Sequence, residues 1–178
     1  MTDTLKDKVA IVTGAGRGIG RGIALMMAAE GASVVVNDLG GAVDGSGTSS
    51  SPADEVVSEI KNAGGSAVAN YDSVSSMEGG ENIVKTALDS FGKLDIVVTP
   101  AGILRDRMIF NLTEQEWDDV IAVHLKGTFT VVKYACILFR QQRSGRIITL
   151  ARSPGFSATR GRPTTARPSR ASPGSPRL

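Results

Sequence analysis

Val9-Ala10-Ile11-Val12-Thr13-Gly14-Ala15-Gly16-Arg17-Gly18-Ile19-Gly20 carries an apolar, β-branched run into a glycine-spaced turn and out into a helical pattern that lasts to Glu30. A buried strand turning sharply into a helix is the simplest reading. Gly14 lets the chain bend without a Cβ clash, Gly18 lets backbone approach a bound pyrophosphate, and Gly20 lets the helix pack closely on the strand. The N–H groups freed at the helix start would face the phosphates. An ordinary strand-to-helix turn can use the same glycines, so the reading depends on what surrounds it.

Working outward, Lys8 to Thr13 reads as the first strand and Arg21 to Ala29 as the helix that crosses back. Ser33 to Asn37 is almost all valine, as expected of a central parallel strand buried on both faces. It ends at Asp38, 24 residues after Gly14. That is near the spacing at which an acid meets the adenosine ribose of a dinucleotide. Leu39 to Ser51, rich in Gly and Ser, reads as a mobile loop. Pro52 suits the first turn of a helix to about Asn62, stopped by Gly64-Gly65. Ser66 to Asn70 is a third strand, ending near Asp72. Glu81 to Ser90 continues a helix with Ile83, Val84, Ala87 and Leu88 on one face. Leu94 to Val98 is a fourth strand and Thr99 to Asn111 a loop. Thr113-Glu114-Gln115-Glu116 has the form of a capping box opening a long helix to about Gln142, and Gly145 to about Leu150 begins a fifth strand. Strands alternating with helices at this rhythm predict an α/β fold, a doubly wound parallel sheet with the glycine turn at its switch point.

The pattern stops at Ala151. Residues 151–178 hold six arginines, no lysine, no acid and five of the seven prolines, leaving 14 basic against 18 acidic residues in the rest of the chain. The basic balance therefore belongs to this segment and describes no nucleic-acid surface on the body. Two regions follow: a dinucleotide-binding domain over 1–150, and a basic Pro/Arg/Ser/Gly-rich segment over 151–178 that reads as a disordered tail. A nucleic-acid arm is the alternative for that tail, with weak stacking because its arginines lack interleaved aromatics. No apolar run of membrane-spanning length and no signal-peptide pattern at Met1 to Lys8 is seen, so no membrane association is expected. Cys136 is the sole cysteine, which excludes an internal disulfide and fits a reducing, cytoplasmic setting.

Thr13-Gly14-xxx-Gly18-Ile19-Gly20, the acid Asp38, Asp72 after the third strand, Ala101-Gly102 after the fourth and His124-Leu125-Lys126-Gly127 in the long helix come in one order. With them, the chain resembles the short-chain dehydrogenase/reductase family over about residues 5–150. Val36-Asn37-Asp38-Leu39-Gly40-Gly41, Gly102-Ile103-Leu104-Arg105-Asp106 and a histidine where most members have asparagine make it most similar to the 3-hydroxyacyl-CoA dehydrogenase module of peroxisomal multifunctional β-oxidation enzymes and their bacterial relatives.

The resemblance implies hydride transfer between nicotinamide and a small-molecule secondary alcohol or ketone, 3-hydroxyacyl thioesters included. A tyrosine made acidic by a nearby lysine would move the proton. It implies cofactor contacts from Thr13, Gly14, Arg17, Gly18, Ile19, Gly20, Asp38, Asp72, Ala101 and Gly102. His124 falls at the water-relay position. Asp38 would accept the ribose hydroxyls and repel a 2′-phosphate, favouring NAD over NADP, although Arg17 could reach such a phosphate. For Asp72, adenine contact and a strand-end cap are both open, as packing and relay are for His124. The long helix resembles the family's dimer-forming helix, so a homo-oligomer is implied. Its residues Val120, Val123, Phe129, Val132 and Cys136 are expected to lack part of their cover, and the fifth strand to be an open sheet edge prone to aggregation.

Two departures stand against full activity. Thr99-Pro100-Ala101-Gly102 replaces the usual Asn-Asn-Ala-Gly, removing a backbone donor and a tying side chain. The family's Ser, Tyr and Lys fall by spacing on Arg152, Thr165 and Ser169. Arginine has no hydroxyl to polarise a substrate, and a threonine hydroxyl is a poor acid/base. Joining the last base of each codon to the first two of the next permits Asn-Tyr at Pro163-Thr164-Thr165 and Lys at Pro168-Ser169, within a longer family-like run. A one-base frameshift near Ile148 is therefore expected to have replaced the catalytic segment. The expectation is an inactive, truncated NAD-dependent dehydrogenase. A non-catalytic NAD-binding module and a basic-tail nucleic-acid binder are the alternatives.

Overall fold

The computed structural model describes residues 3–41 and 51–150. Five strands, β1 (Val9–Thr13), β2 (Ser33–Asn37), β3 (Ser66–Asn70), β4 (Ile96–Thr99) and β5 (Arg146–Thr149), alternate with helices α1 (Gly18–Ala29), α2 (Ser51–Asn62), α3 (Met77–Phe91), α4 (Glu114–Ile121) and α5 (Gly127–Gln142). All pairings are parallel and the order across the sheet is β3-β2-β1-β4-β5. The doubly wound expectation holds. The order reverses beside β1, which puts the glycine turn at the switch point, where such sheets open a crevice for ligands.

Period-two alternation divides each strand between two cores. Ala10, Val12, Val34, Val36, Ile96 and Val98 face α1 and α2, where Ala24, Met27, Val56 and Ile60 meet them. Val9, Ile11, Val35 and Val97 face α3 and α5, against Ile83, Val84, Ala87, Val131 and Ala135. Burial on both faces explains the near-pure valine of β2.

Several boundaries differ from expectation. Helix α1 begins at Gly18, three residues early, because the turn itself supplies its first turn. Strand β4 starts at Ile96, and Leu94 is fully buried ahead of it as part of the α3/α5 core. Thr99 belongs to β4, and a single 3₁₀ turn (Ile109–Asn111) interrupts the predicted loop. The capping box at Thr113 and Glu116 is present. The long helix is not uniform, however. A π-helical segment, Ala122–Lys126, separates α4 from α5. The continuous helical run Glu114–Gln142 is also, by length and composition, long enough to cross a membrane, which counting uninterrupted apolar residues did not reveal because charged residues punctuate it. One side of it packs on α3 through Val131 and Ala135. Val120 is buried, contrary to expectation, while Phe129 and Cys136 are exposed as expected. The tail, residues 151–178, and most of the expected mobile loop, residues 42–50, lie outside the described residues.

Candidate functional site

The turn after β1 is built by close approach. Gly14 has φ 57°, and a Cβ there would lie 2.7 Å from Ala101 Cα, so the loop after β4 passes directly against it. A Cβ on Gly20 would lie 2.1 Å from the Gly14 carbonyl oxygen, which is how α1 comes so near the strand. Buried Thr13 adds a tie: its Oγ1 accepts from Ala101 N–H at 3.3 Å. Four of the expected residues, Thr13, Gly14, Gly20 and Ala101, thus form one packed junction.

Gly18, also in the left-handed region (φ 53°), faces open space, and Ile19 is exposed beside it. The start of α1 carries no side-chain cap and no acid in its first turn. By contrast, Ser76 and Thr113 cap α3 and α4. A helix start with free donors, its dipole uncompensated and a Cβ-free approach beside it, fits a dinucleotide pyrophosphate. Arg17 is exposed and donates to Gly41 O at 3.3 Å.

Asp38 is bound into the same turn. Its Oδ2 accepts from Gly16 N–H at 2.8 Å and its Oδ1 from Gly40 N–H at 2.7 Å. A Cβ on Gly16 would collide with this carboxylate and with Pro52 of α2. Gly16 is therefore a site residue that the motif reading passed over. Each carboxylate oxygen retains acceptor capacity for a ribose hydroxyl.

Asp72 lies beyond β3 among three asparagines. Its carboxylate accepts from Asn70 Nδ2 at 2.8 Å and from Asn82 Nδ2 at 3.2 Å. Its backbone N–H donates to Asn70 Oδ1, and its carbonyl accepts from Asn37 Nδ2. None of these asparagines was singled out from sequence. The available signal was that the two neighbouring strands β2 and β3 both end in asparagine.

His124 sits in the π-helical segment, with its ring against Gly102, where a Cβ would lie 2.5 Å from Cε1. Nε2 lies 2.8 Å from Ile103 O and 3.2 Å from Ile103 N, so it donates to the first or accepts from the second according to tautomer. Two ion pairs, Arg105 with Asp119 at 3.0 Å and Arg107 with Glu116 at 2.6 Å, hold the same loop to α4. The histidine and Gly102 are thus brought together, and Gly102 directly follows Ala101, which packs on the glycine turn.

The two tyrosines of the chain lie elsewhere. Tyr71 donates to the Asp54 carboxylate, and that bond raises its phenol above the ordinary value. Tyr134, on α5, is raised by desolvation and by its bond to Glu81, and Lys133 lies over its ring, 5.5 Å from the centroid. Both shifts favour the protonated phenol. Arg152, Thr165 and Ser169 lie outside the described residues.

A family profile described as short chain dehydrogenase matches residues 8–163. The chain is 53% identical over 156 residues to peroxisomal multifunctional enzyme A of Dictyostelium discoideum, covering 88% of this chain and 35% of that protein. It is 44% identical over 141 residues to hydroxyacyl-CoA dehydrogenase ChsB1 of Mycobacterium tuberculosis, covering 79% of this chain and 43% of that one. The crystal structure of a short chain dehydrogenase from Mycobacterium avium superposes with TM-score 0.81 at 45% identity, covering 91% of this chain and 58% of that one. The chain spans only 35% to 58% of the length of these relatives. The profile spans most of the chain, and the chain belongs to the short-chain dehydrogenase/reductase family.

Proposed function

We propose that the chain is the nucleotide-binding part of an NAD-dependent dehydrogenase whose parent acts on 3-hydroxyacyl thioesters, and that as written it binds cofactor without turning over substrate. The observation that carries the reading is the carboxylate of Asp38, bonded into the same turn as the uncapped start of α1. Free N–H groups at Gly18–Gly20 hold the pyrophosphate, and Asp38 accepts ribose hydroxyls while its charge repels a 2′-phosphate. Bound nicotinamide would supply the hydride acceptor or donor. His124 and the loop backbone at Ile103 form the polar wall nearest Gly102 and would hold a relay water. Asp72 faces the adenine. The hydroxyacyl assignment rests on the ChsB1 likeness and on the sequence around Gly102–Asp106.

Catalytic silence follows from side-chain chemistry. The spacing puts Arg152, Thr165 and Ser169 where a hydroxyl, a phenol and an ammonium are needed. The bond to Asp54 raises the Tyr71 phenol, and desolvation followed by the bond to Glu81 raises that of Tyr134, so both shifts favour the protonated form. We attribute the change to a one-base frameshift near Ile148. The base sequence of the gene tests this directly, since the alternate frame must spell tyrosine and lysine. The single free thiol, Cys136, supports the reading of a reducing, cytoplasmic setting. Self-association through the exposed stripe Trp117, Ile121, Leu125 and Phe129 of the long helix is expected.

The test is a titration of the full chain with NADH followed by nicotinamide fluorescence, beside an assay of NAD reduction with a 3-hydroxyacyl-CoA. Saturable NADH binding, at least about tenfold tighter than NADPH, with no turnover is expected. Turnover at the rate of an intact relative, or no NADH binding, would refute the reading. A tail that binds nucleic acid would instead show DNA affinity that falls steeply with salt and is lost on deleting 151–178.

A further inference from the structure

Among the described residues, strand β5 is hydrogen-bonded on one side only, to β4. Arg146 N–H donates to Asp95 O at 2.9 Å, so Arg146, and with it Ile148, turns its backbone groups toward β4. The N–H and C=O groups of Ile147 and Thr149 therefore point outward along the free edge. Side chains alternate across the sheet, so Ile148 aligns with Val98 on the α1/α2 side and Ile147 with Val97 on the α3/α5 side. Ile147 is 39% exposed, Ile148 50% and Leu150 40%. A β-branched edge with outward donors and acceptors is a template for another strand.

The continuation of the chain fits that template poorly. A parallel strand needs a crossover of about a dozen residues or more. Beyond it, Pro163, Pro168, Pro173 and Pro176 leave no proline-free run longer than four residues, and proline has no N–H to give to a ladder. A hairpin through Pro154-Gly155 would set Arg162 opposite Ile147, Gly161 opposite Ile148 and Arg160 opposite Thr149. Two arginines and a glycine cover the isoleucines badly and bring cations beside Arg146.

A second β5 fits better. Antiparallel partners exchange hydrogen bonds where opposite residues both turn their backbone toward each other. With a two-fold axis at Ile148, Ile147 of one copy lies opposite Thr149 of the other and exchanges both bonds with it, as does the symmetry-related pair. Ile148 meets its own counterpart in the non-hydrogen-bonded position, where side chains are closest. Arg146 falls opposite Leu150, so no cation faces another. Moving the axis to Thr149 would set Arg146 opposite Arg152, and moving it to Ile147 would set Thr149 opposite Gly145.

We propose that β5 is a docking edge for a second copy of this chain, joined antiparallel about a two-fold axis at Ile148 into one continuous sheet. The contact is isologous and closes at two copies. Stable interfaces bury about 1,200–2,000 Å², more than so short a strand pair supplies, so association is weak and rises with concentration. It is separate from the exposed stripe of the long helix and holds or fails independently of the dinucleotide reading.

The experiment is sedimentation velocity of the full chain over a range of concentrations, with hydrogen exchange at the Ile147 and Thr149 amides and a thermal melt of each variant. A dimer is expected, with those two amides protected only where it forms. Ile148→Lys and Ile148→Glu each put like charges face to face at the axis and should weaken the dimer by about tenfold or more. An equal mixture of the two should associate again as a heterodimer, which a folding defect would not allow. Thr149→Pro removes an outward donor and leaves the β4 ladder intact, so it should weaken the dimer at a nearly unchanged melting temperature. Phe129→Ser, in the helix stripe, should leave the β5 contact in place. A chain that stays monomeric at every concentration overturns the proposal, and protected Ile147 and Thr149 amides in that monomer would assign the edge to residues 151–178. A dimer that both Ile148 variants leave unchanged, that their mixture fails to restore, or that only Phe129→Ser disperses also overturns it.

Discussion

Along the register row Ile11, Val97, Ile147, burial falls away from one side of the sheet to the other. Ile11 on β1 and Val97 on β4 are fully buried, whereas Ile147 on β5 is 39% exposed. The polar row at the carboxyl ends of the strands changes in the same direction. Asn70, Asn37 and Thr13 are all bonded to the loops they support. Thr99, the next residue out, has a buried Oγ1 with no partner among the described residues, and Thr149 is exposed. The half from β3 to β1 thus satisfies itself. Along β5 all four residues are exposed, with Ile147 and Ile148 uncovered on opposite faces. The nucleotide contacts proposed above concentrate in the self-sufficient half. Strand β5, where the proton-transfer residues of the family would follow, is the part left uncovered among the described residues.

The comparison is broken most directly by truncating the two ends of that row. Ile11→Ala should cost about 2–5 kcal/mol, because the site is close-packed on both sides and the cavity cannot collapse. Ile147→Ala should cost less than about 1 kcal/mol, since most of the transfer term was never gained. Urea denaturation of the two variants beside the wild type measures both. Equal losses would mean that β5 is covered in solution by something the described residues do not include.

A second pair probes the polar row. Asn70→Leu leaves the Asp72 carboxylate, Asn37 and Thr86 short of partners and should destabilise by about 2–3 kcal/mol. Thr99→Val replaces an unpartnered buried hydroxyl by a methyl of similar shape and should stabilise by up to about 1 kcal/mol. Destabilisation by Thr99→Val would show that its hydroxyl has a partner beyond Leu150, and would extend the self-sufficient half by a strand.

The sequence disclosed the two halves unequally. Strands β2 and β3 are readable to the residue, because valine and alanine runs bounded by Gly and Asp mark buried parallel strands. The start of α3 was hidden, since Gly79-Gly80 look like helix breakers. They are glycines because a Cβ would lie 2.0 Å from Ser73 O at one and 2.7 Å from Thr130 Cβ at the other, so α3 presses on its own cap and on α5. The π-helical segment leaves no mark in a pattern of period 3.6, although His124 within it was found through its motif. Gly14 and Gly20 were readable because close backbone contact demands glycine, whereas Thr13 and Ala101 came only with the family resemblance. Asn37, Asn70 and Asn82 were not, because an asparagine bonded to a neighbouring loop looks in sequence like any strand-end polar residue. Only the parallel register brings two of them together.

The smallest effect belongs to Glu116, and it separates missing cover from missing local structure. Bonds from Thr113, chiefly its backbone N–H, and then from Arg107 lower the Glu116 carboxyl from 4.5 to about 2. A group depressed in the folded state contributes stability that is complete above its unfolded value and is lost as pH falls through the folded one. Glu116 therefore supports the start of α4 above about pH 4.5, and that support fades between there and about pH 2. Glu116→Gln keeps an acceptor for the Thr113 N–H but loses the charge facing Arg107 and the helix dipole. Its thermal midpoint should lie slightly below that of the wild type at pH 6, by less than the shift from Thr99→Val, and the two should converge as the pH approaches 2. Convergence would mean that the capping box on the uncovered side is as fully formed as its residues allow, so that burial alone distinguishes the two halves. A difference that persists at pH 2 would instead place the Glu116 effect outside the carboxylate, in the packing of the loop that Arg107 carries.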